Sequence, residues 1–407
     1  MHRLAPIIIA IALLCSFSAT TLQAQEDDID TTMEIYGQVQ TDAGYDFNRI
    51  SPLWYDVLRP TKLPANKNEF GTDGNAYFSV RQTTLGINSY FETILGQLET
   101  NFEFDMFGTG INAGSTTFRL NLAYGEIGHF GAGQYYSPFM DLDVSPNELE
   151  YWGPCGMVFY RNVQVRYMPI KGDSRMTIAL EMPGGSSDQG SYINRIELQD
   201  VNTRFAYPDL SAEYRRAAKW GYVELAGILR GIQWQDQGID SLFDFSGGAI
   251  GWGLNLSTNL NLDKKTVFKG QLAYGAGVEN YMNDAPVDIG VQNNFSNHRA
   301  PLKGVALPVL GIVAFFGHTW SGKLTSSIGY SLVNIENSDA QAAFAFKRGQ
   351  YAIANLLYSP NDNTTMGIEY EWGYRTNFRD GWSTPISKIQ ISFRFSFDHY
   401  FYHKQPG

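Results

Sequence analysis

Apolar and polar residues alternate with a period of two over long runs of this chain. Within 96–107, Leu98, Thr100, Phe102, Phe104 and Met106 share one parity, and Gln97, Glu99, Asn101, Glu103 and Asp105 share the other. The same rule sets Phe118, Leu120, Leu122 and Tyr124 against Arg119 and Asn121, and Met176, Ile178, Leu180 and Met182 against Arg175, Thr177 and Glu181. It sets Met366, Ile368, Tyr370, Trp372 and Tyr374 against Glu369, Glu371 and Arg375, and Ile389, Ile391, Phe393, Phe395 and Phe397 against Lys388, Gln390, Ser392, Arg394 and Ser396. Successive side chains of a strand point to opposite faces, so each run predicts a strand with one apolar and one polar face. Soluble sandwiches use strands of about 5–6 residues, whereas these runs reach the ~9–11 residues of a tilted strand that crosses a bilayer.

Between the runs, short and long connections take turns. Seven short turns and eight long loops predict about sixteen strands, with both termini on the short-turn side. Short turns on one side and longer loops on the other are the pattern of an outer-membrane barrel. The expected fold class is therefore all-β: a closed, antiparallel, up-and-down transmembrane β-barrel with long extracellular loops. The uncharged, largely apolar stretch Gly304–Gly317 has 14 residues and contains Pro308, too short for a spanning helix. Two segments resist the rule. In Tyr222–Trp234, Ile228 and Ile232 share parity with Glu224 and Arg230, and Leu307–Phe316 is apolar without alternation. Rings such as Tyr36, Tyr124, Tyr167, Tyr274, Tyr330, Tyr358 and Trp372 fall near strand ends, where amphipathic rings mark the membrane boundary.

The first segment places the chain outside the cytoplasm. Residues 1–24 read as a secretory signal peptide, with Arg3, an apolar stretch Ile7–Leu14 and a small residue, Ala24, at the cleavage point. An acidic stub (25–32), a barrel domain (33–397) and a C-terminal extension (398–407) are expected to come after it. The full chain of 407 residues carries 30 basic and 41 acidic side chains, a net charge of −11. That balance, with basic residues scattered, excludes a nucleic-acid binder. Aromatics at 14% and charged residues at only 17% exclude a disordered chain. Beyond the leader Cys155 is the only cysteine, so no intrachain disulfide is possible, and a lone thiol of this kind is most often a small buried residue.

No motif commits the chain to catalysis or to a cofactor. The six histidines show no metal-ligand spacing, no GxSxG occurs, and the Gly-rich stretch Gly108–Gly114 lacks the Lys-Ser/Thr of a phosphate loop. No metal or cofactor is expected. The third long loop stands apart, because it mixes Tyr136, Pro138, Phe139, Pro146, Tyr151, Trp152, Pro154 and Phe159 with Asp141, Asp143, Glu148 and Glu150. An exposed loop is usually polar, so this one is expected to fold into the pore as its constriction. Facing it, Arg119, Arg161, Arg166, Arg175, Arg215 and Arg394, and less firmly Arg230 and Lys269, should point inward, since an arginine facing lipid at the midplane costs ~2–4 kcal/mol. With Asp105 on the same wall, these residues are the expected pore lining. An acidic loop opposite a basic wall would set up a transverse field. The blander reading is that each arginine is paired with an inward acid such as Glu99, Glu181 or Glu213.

Four stretches carry a family resemblance: RQTTLGI at 81–87, NFEFDMFG at 101–108, AYGEIG at 123–128 and GQYYSPFMDLDVSPNELEYWGPCGMVFYRNVQVRY at 133–167. They resemble the DcaP-like porins, most strongly over about 76–170. The resemblance implies a sixteen-stranded, trimeric outer-membrane porin of Gram-negative bacteria, associated with uptake of dicarboxylates and related organic acids. Outer-membrane lipid and lipopolysaccharide would be its surroundings and small organic anions its solutes. Some members of that family carry a coiled coil before the barrel, for which the stub leaves no room. Such barrels also commonly end on an aromatic residue, a role that fits Phe397, or Phe401 or Tyr402 in the extension. The competing readings are a general non-selective porin, a barrel hydrolase, which the sparse histidines disfavour, and a TonB-linked receptor, for which the chain is too short.

Overall fold

The alternating runs pair into one antiparallel sheet that closes on itself. The computed structural model describes residues 31–238 and 242–403. The expected leader, stub residues 25–30 and extension residues 404–407 lie outside the described residues. The wall begins with Thr31–Asp46, and its second strand is Asn75–Ser79, which resumes as Thr84–Thr93 after a turn closed by the Thr83 amide on the Val80 carbonyl. Gly96–Phe107, Thr116–Ile127, Phe130–Tyr136, Arg161–Ile170, Arg175–Glu181 and Asp209–Ala218 complete the first half. Gly221–Asp236, Gly247–Asn261, Thr266–Ala276 and Pro308–Ser321 come next, then Leu324–Ile335, Phe346–Asn361, Thr364–Asn377 and Ser383–His403. The sheet contains eighteen strand segments. Two of them form the broken second strand and one, Val201–Arg204, is a short addition on Gly221–Asp236, which leaves the sixteen wall strands the sequence predicts.

Closure comes from the first and last strands, which pair without a break from Asp46↔Lys388 to Thr31↔His403. This corrects the expected barrel limits. Thr31 and Thr32 of the stub and residues 398–403 of the extension are wall, not tails. The physical reason is that backbone groups in lipid have no water to bond, so the longer of the two strands at a seam needs its partner to match it.

Parity sorts the faces. Val163, Val165, Leu180, Leu225, Leu229, Ile250, Leu254, Ile328 and Phe395 are exposed, while the alternate Gln164, Thr177, Glu224, Asn255, Ser327 and Ser392 are buried. Apolar residues thus face outward to lipid and polar residues inward, as in a transmembrane barrel. Two expected girdle rings are exceptions. Tyr36 faces inward, its hydroxyl donating to Glu103 at 3.0 Å. Tyr124 does so because of a β-bulge: the register jumps from Phe104↔Leu120 to Glu103↔Leu122, and the extra residue Asn121 inverts the parity of the rest of the strand. Gln134 repairs the bulge by donating to the carbonyls of Leu120 (3.2 Å) and Asn121 (3.0 Å). Tyr167, Tyr274, Tyr330 and Tyr358 are exposed on the outer face as expected.

The eight long loops, numbered 1 to 8, cover 47–74, 108–115, 137–160, 182–208, 237–246, 277–307, 336–345 and 378–382. Loops 4 and 6 build a small sheet of their own, in which Ile289–Asn293 pairs with Leu302–Ala306 on one side and Ser187–Asp188 on the other. The largest apolar cluster joins Leu58 and Leu63 of loop 1, Phe139, Val144, Cys155, Met157 and Val158 of loop 3, and Tyr281 and Met282 of loop 6 to inward residues Ile228, Val309, Val313, Phe315, Val333, Tyr351 and Ile353 of the wall. This resolves both irregular segments. Ile228 points inward against Phe139 of loop 3, and Leu307–Phe316 lacks alternation because its inward residues are buried under loops while its outward ones meet lipid.

Candidate functional site

Loop 3 owes its course to side chains of the wall. Its backbone polar groups need partners wherever apolar packing excludes water. Asn255 donates to the Phe139 carbonyl at 2.9 Å, Lys269 to that of Ser145 at 2.5 Å and Asn355 to that of Asn147 at 2.8 Å. Gln82 and Gln390 both donate to the Leu149 carbonyl at 3.0 Å. The Gly156 amide donates to Ser331 at 2.8 Å and the Val158 amide to Gln271 at 3.2 Å. Where the loop comes closest, the wall has no side chain: a Cβ on Gly311 would sit 2.3 Å from the Gly156 carbonyl oxygen.

The acids of loop 3 divide into two groups. Asp141, fully buried, meets Arg215 at 2.6 Å and accepts from Tyr222 (2.7 Å) and Ser257 (2.6 Å). Asp143 meets Arg215 at 2.5 Å and Arg175 at 4.0 Å. Arg215 also binds Glu224 at 2.7 Å, and Arg175 binds Glu213 at 3.2 Å and Glu224 at 3.0 Å. This half of the loop does face basic residues, but the wall carries its own acids beside them.

Glu148 and Glu150 go elsewhere, toward Glu369 and Glu371 rather than to an arginine. Glu148 accepts from the Tyr351 hydroxyl at 3.0 Å, and Glu150 from the Leu58 amide at 2.8 Å and from the Gly153 amide. Burial pushes the Glu150 carboxyl up to about 8. Burial, with Glu369 and Glu150 nearby, raises Glu148 well above the usual carboxylate range. The four acids of the loop therefore do not form one acidic face.

The remaining wall residues are equally distinct. Asp105 holds Arg119 at 2.5 Å, and the Tyr151 hydroxyl of loop 3 bonds both of them while its ring stacks on Phe107 at 4.3 Å. Arg394 donates to Gln40 at 2.7 Å. Arg230 is buried between Asp209 (2.8 Å) and Asp288 (3.0 Å). Arg161, first in its strand, shares parity with the outward Val163 and Val165, and its guanidinium lies 5.6 Å from the Phe159 ring. Arg166 donates to Gln164 at 2.8 Å and lies 4.8 Å from the Tyr135 ring, which stacks on Tyr124. Among the described residues neither Arg161 nor Arg166 has a carboxylate within 4.0 Å. Arg166 and Arg175 line a cavity of about 320 Å³ together with Tyr135, Tyr136, Met140 and Glu213.

Sequence reasoning missed loop 1. Arg59 binds Asp284 of loop 6 at 2.9 Å and lies 3.8 Å from the Trp152 ring and 4.4 Å from Trp54, and the two indoles meet edge to face at 5.1 Å. Trp54, Val57, Leu58 and Leu63 are buried. The signal was the one that singled out loop 3: a long loop with large apolar residues. Glu369 and Lys388 were also missed, because an inward charge on an alternating strand looks the same whether it meets solvent or a loop.

A family model described as the DcaP outer membrane protein matches residues 12–397. The fold is similar to that of the outer membrane channel DcaP of Acinetobacter baumannii, with 18% identity, a TM-score of 0.73, and coverage of 90% of this chain and 97% of that one. It is also similar to an anion-selective porin from Comamonas acidovorans, with 10% identity, a TM-score of 0.59, and coverage of 90% and 100%. The trimer form of OmpT from Vibrio cholerae shows 12% identity, a TM-score of 0.52, and coverage of 90% and 99%. Among curated proteins none matches the sequence.

Proposed function

The chain belongs to the DcaP outer membrane protein family, and on that premise we propose that it passes small organic anions, dicarboxylates or aromatic acids among them, by passive diffusion. Family and fold point to a channel of the outer membrane rather than to an enzyme. In this reading residues 1–24 export the chain, the barrel works as a homotrimer, and loop 3 lies across the lumen as its constriction. The bonds from Asn255, Lys269, Asn355 and Gln390 to the loop backbone support that course, since all four project from the inward face of the wall.

The observation that carries the anion preference is Arg166. It is half-buried on the wall of a cavity, beside the stacked rings of Tyr124 and Tyr135; the acids Glu126, Asp143 and Glu213 line the same cavity, but among the described residues none pairs with it within 4.0 Å. A guanidinium next to aromatic faces suits a flat carboxylate, which can pair with the cation and lie on the rings. The second reading, a pore of little selectivity, is favoured by the carboxylates that neutralise Arg119, Arg175 and Arg215. Reversal potentials in planar bilayers under a salt gradient decide between them. The anion reading expects an anion-selective potential and current blocked by added dicarboxylate. A cation-selective pore indifferent to dicarboxylates overturns it, and a potential near zero supports the second reading.

A further inference from the structure

Loop 3 is fastened by a carboxylate of the wall. Glu369, on the strand Thr364–Asn377, is fully buried. One of its oxygens accepts from the Glu150 amide at 2.9 Å. The other accepts from the Leu149 amide at 3.1 Å and from Asn355 at 2.8 Å. Glu150 then passes the connection on: one oxygen accepts from the Gly153 amide and the other from the Leu58 amide of loop 1 at 2.8 Å. Leu58 itself packs where Gly373, on the same strand as Glu369, leaves room. The edge contact of Trp54 with Trp152 makes a second seam between the same two loops.

A carboxylate is the side chain this geometry asks for. It offers two acceptor oxygens, and hydrogen bonds to an ionised acceptor are the stronger kind. Glutamine keeps one acceptor oxygen and turns an NH2 group toward the other amide. The neighbouring charges supply no substitute: the carboxylate oxygens of Asp46 and Glu371 have no hydrogen-bond partner among the described residues, and Lys388 lies over the Tyr77 ring with its ion pair directed to Glu371, at 3.5 Å.

We propose that Glu369 and Glu150 are the positioning residues of this channel: Glu369 fixes loop 3 to the wall, Glu150 fixes loop 1 to loop 3, and the two loops set the aperture as one body. The proposal rests on the reading of loop 3 as the constriction.

The protein carries its own reporter. Cys155, on loop 3, is fully buried, and the only other cysteine is Cys15 in the expected leader. A hydrophilic maleimide added to the purified full-length protein reads the release of loop 3 at Cys155. On a Cys155→Ser background, Val57→Cys reads the release of loop 1, because Val57 is fully buried. Glu369→Gln is expected to raise labelling by about tenfold or more at both positions, although the hydrogen bonds of Glu369 go to loop 3 and Asn355 and not to Val57. It should also raise single-channel conductance, and Glu369→Asp should restore part of both effects. Glu150→Gln should raise labelling at Val57→Cys more than at Cys155.

Release of Cys155 without Val57→Cys in Glu369→Gln overturns the coupling, and unchanged labelling at both overturns the clasp. If Glu369→Gln fails to give a heat-modifiable barrel, Glu150→Gln carries the test, and unchanged labelling at Val57→Cys overturns the proposal. Labelling as expected in a protein that conducts no ions removes the channel reading and leaves the clasp standing.

Discussion

Arg166 and Arg215 carry the same charge on the same wall, yet their surroundings give them different work. Arg215 is enclosed by Asp141, Asp143 and Glu224 and lies 3.7 Å from the Tyr222 ring, so its charge is consumed in holding loop 3. Removing one partner of a buried ion cluster strands the others, so Arg215→Ala should cost about 3 kcal/mol of stability, seen as a lower unfolding temperature in detergent. Arg166 has no carboxylate within 4.0 Å among the described residues, and Arg166→Gln should leave that temperature unchanged while lowering the anion-to-cation permeability ratio by about twofold, read from the reversal potential. A drop in stability without a change of selectivity would contradict this assignment. The Glu150 carboxyl supplies a pH dependence. Around it stand Glu148 of its own loop, Glu369 and Glu371 of one strand, Lys388 of the last strand and Arg59 of loop 1; Lys388 opposes the rise that burial imposes. A carboxyl raised from 4.5 to about 8 when docked binds a proton that the released loop lacks between those values. Docking is therefore strongest at acid pH, weakens as pH rises toward 8, and is level above it. Open-channel current noise should rise over the same interval and stay level beyond it, and Glu150→Ala should flatten the slope.

Elements explain what residues alone do not. Loop 3 and the strand Pro308–Ser321 touch through backbone at Gly156 and Gly311, and the loop lies close only because both lack a side chain. Gly311→Ala should force the loop off the wall at a cost of about 1–3 kcal/mol, as overpacking usually does. Gly317→Ala, on the same strand, meets nothing within 4 Å and should leave the unfolding temperature unchanged. Equal temperatures for the two variants would deny the contact. The strands were legible in the sequence because alternation is a local signal: the runs at 96–107, 175–182, 366–375 and 388–397 fall on wall strands. The mixture of apolar and acidic residues in loop 3 was legible for the same reason. Three features were not. The bulge at Asn121 depends on the register of a neighbouring strand, so alternation alone puts Tyr124 on the wrong face. The apolar run before Phe316 is apolar on both faces because of loops far away in sequence. The division of loop 3 acids, Asp141 to Arg215 and Glu150 to Glu369, depends on which wall residue each one reaches.

At the scale of the molecule, a barrel has to close, and the seam is where chain length and membrane chemistry meet. The net charge of −11 says little about the lumen, because inward bases are paired in place with inward acids, as around Arg215. The seam is a stricter constraint. Thr31–Tyr36 pairs with Gly86–Phe91 on one side, and on the other side its partners are residues 398–403. A chain ending at Phe397 loses the six pairs from Tyr36↔Asp398 to Thr31↔His403 and leaves one edge of the first strand bare. Each unsatisfied backbone group in hydrocarbon costs several kcal/mol, and a bare edge also invites pairing with other chains. The truncated chain should therefore give little of the compact, heat-modifiable form on a gel and more aggregate. Deletion of 404–407 alone removes none of those pairs and should fold with the yield of the full chain. If the chain ending at Phe397 folds equally well, Phe397 is a sufficient end for the last strand, and residues 398–403 are dispensable for closing the wall.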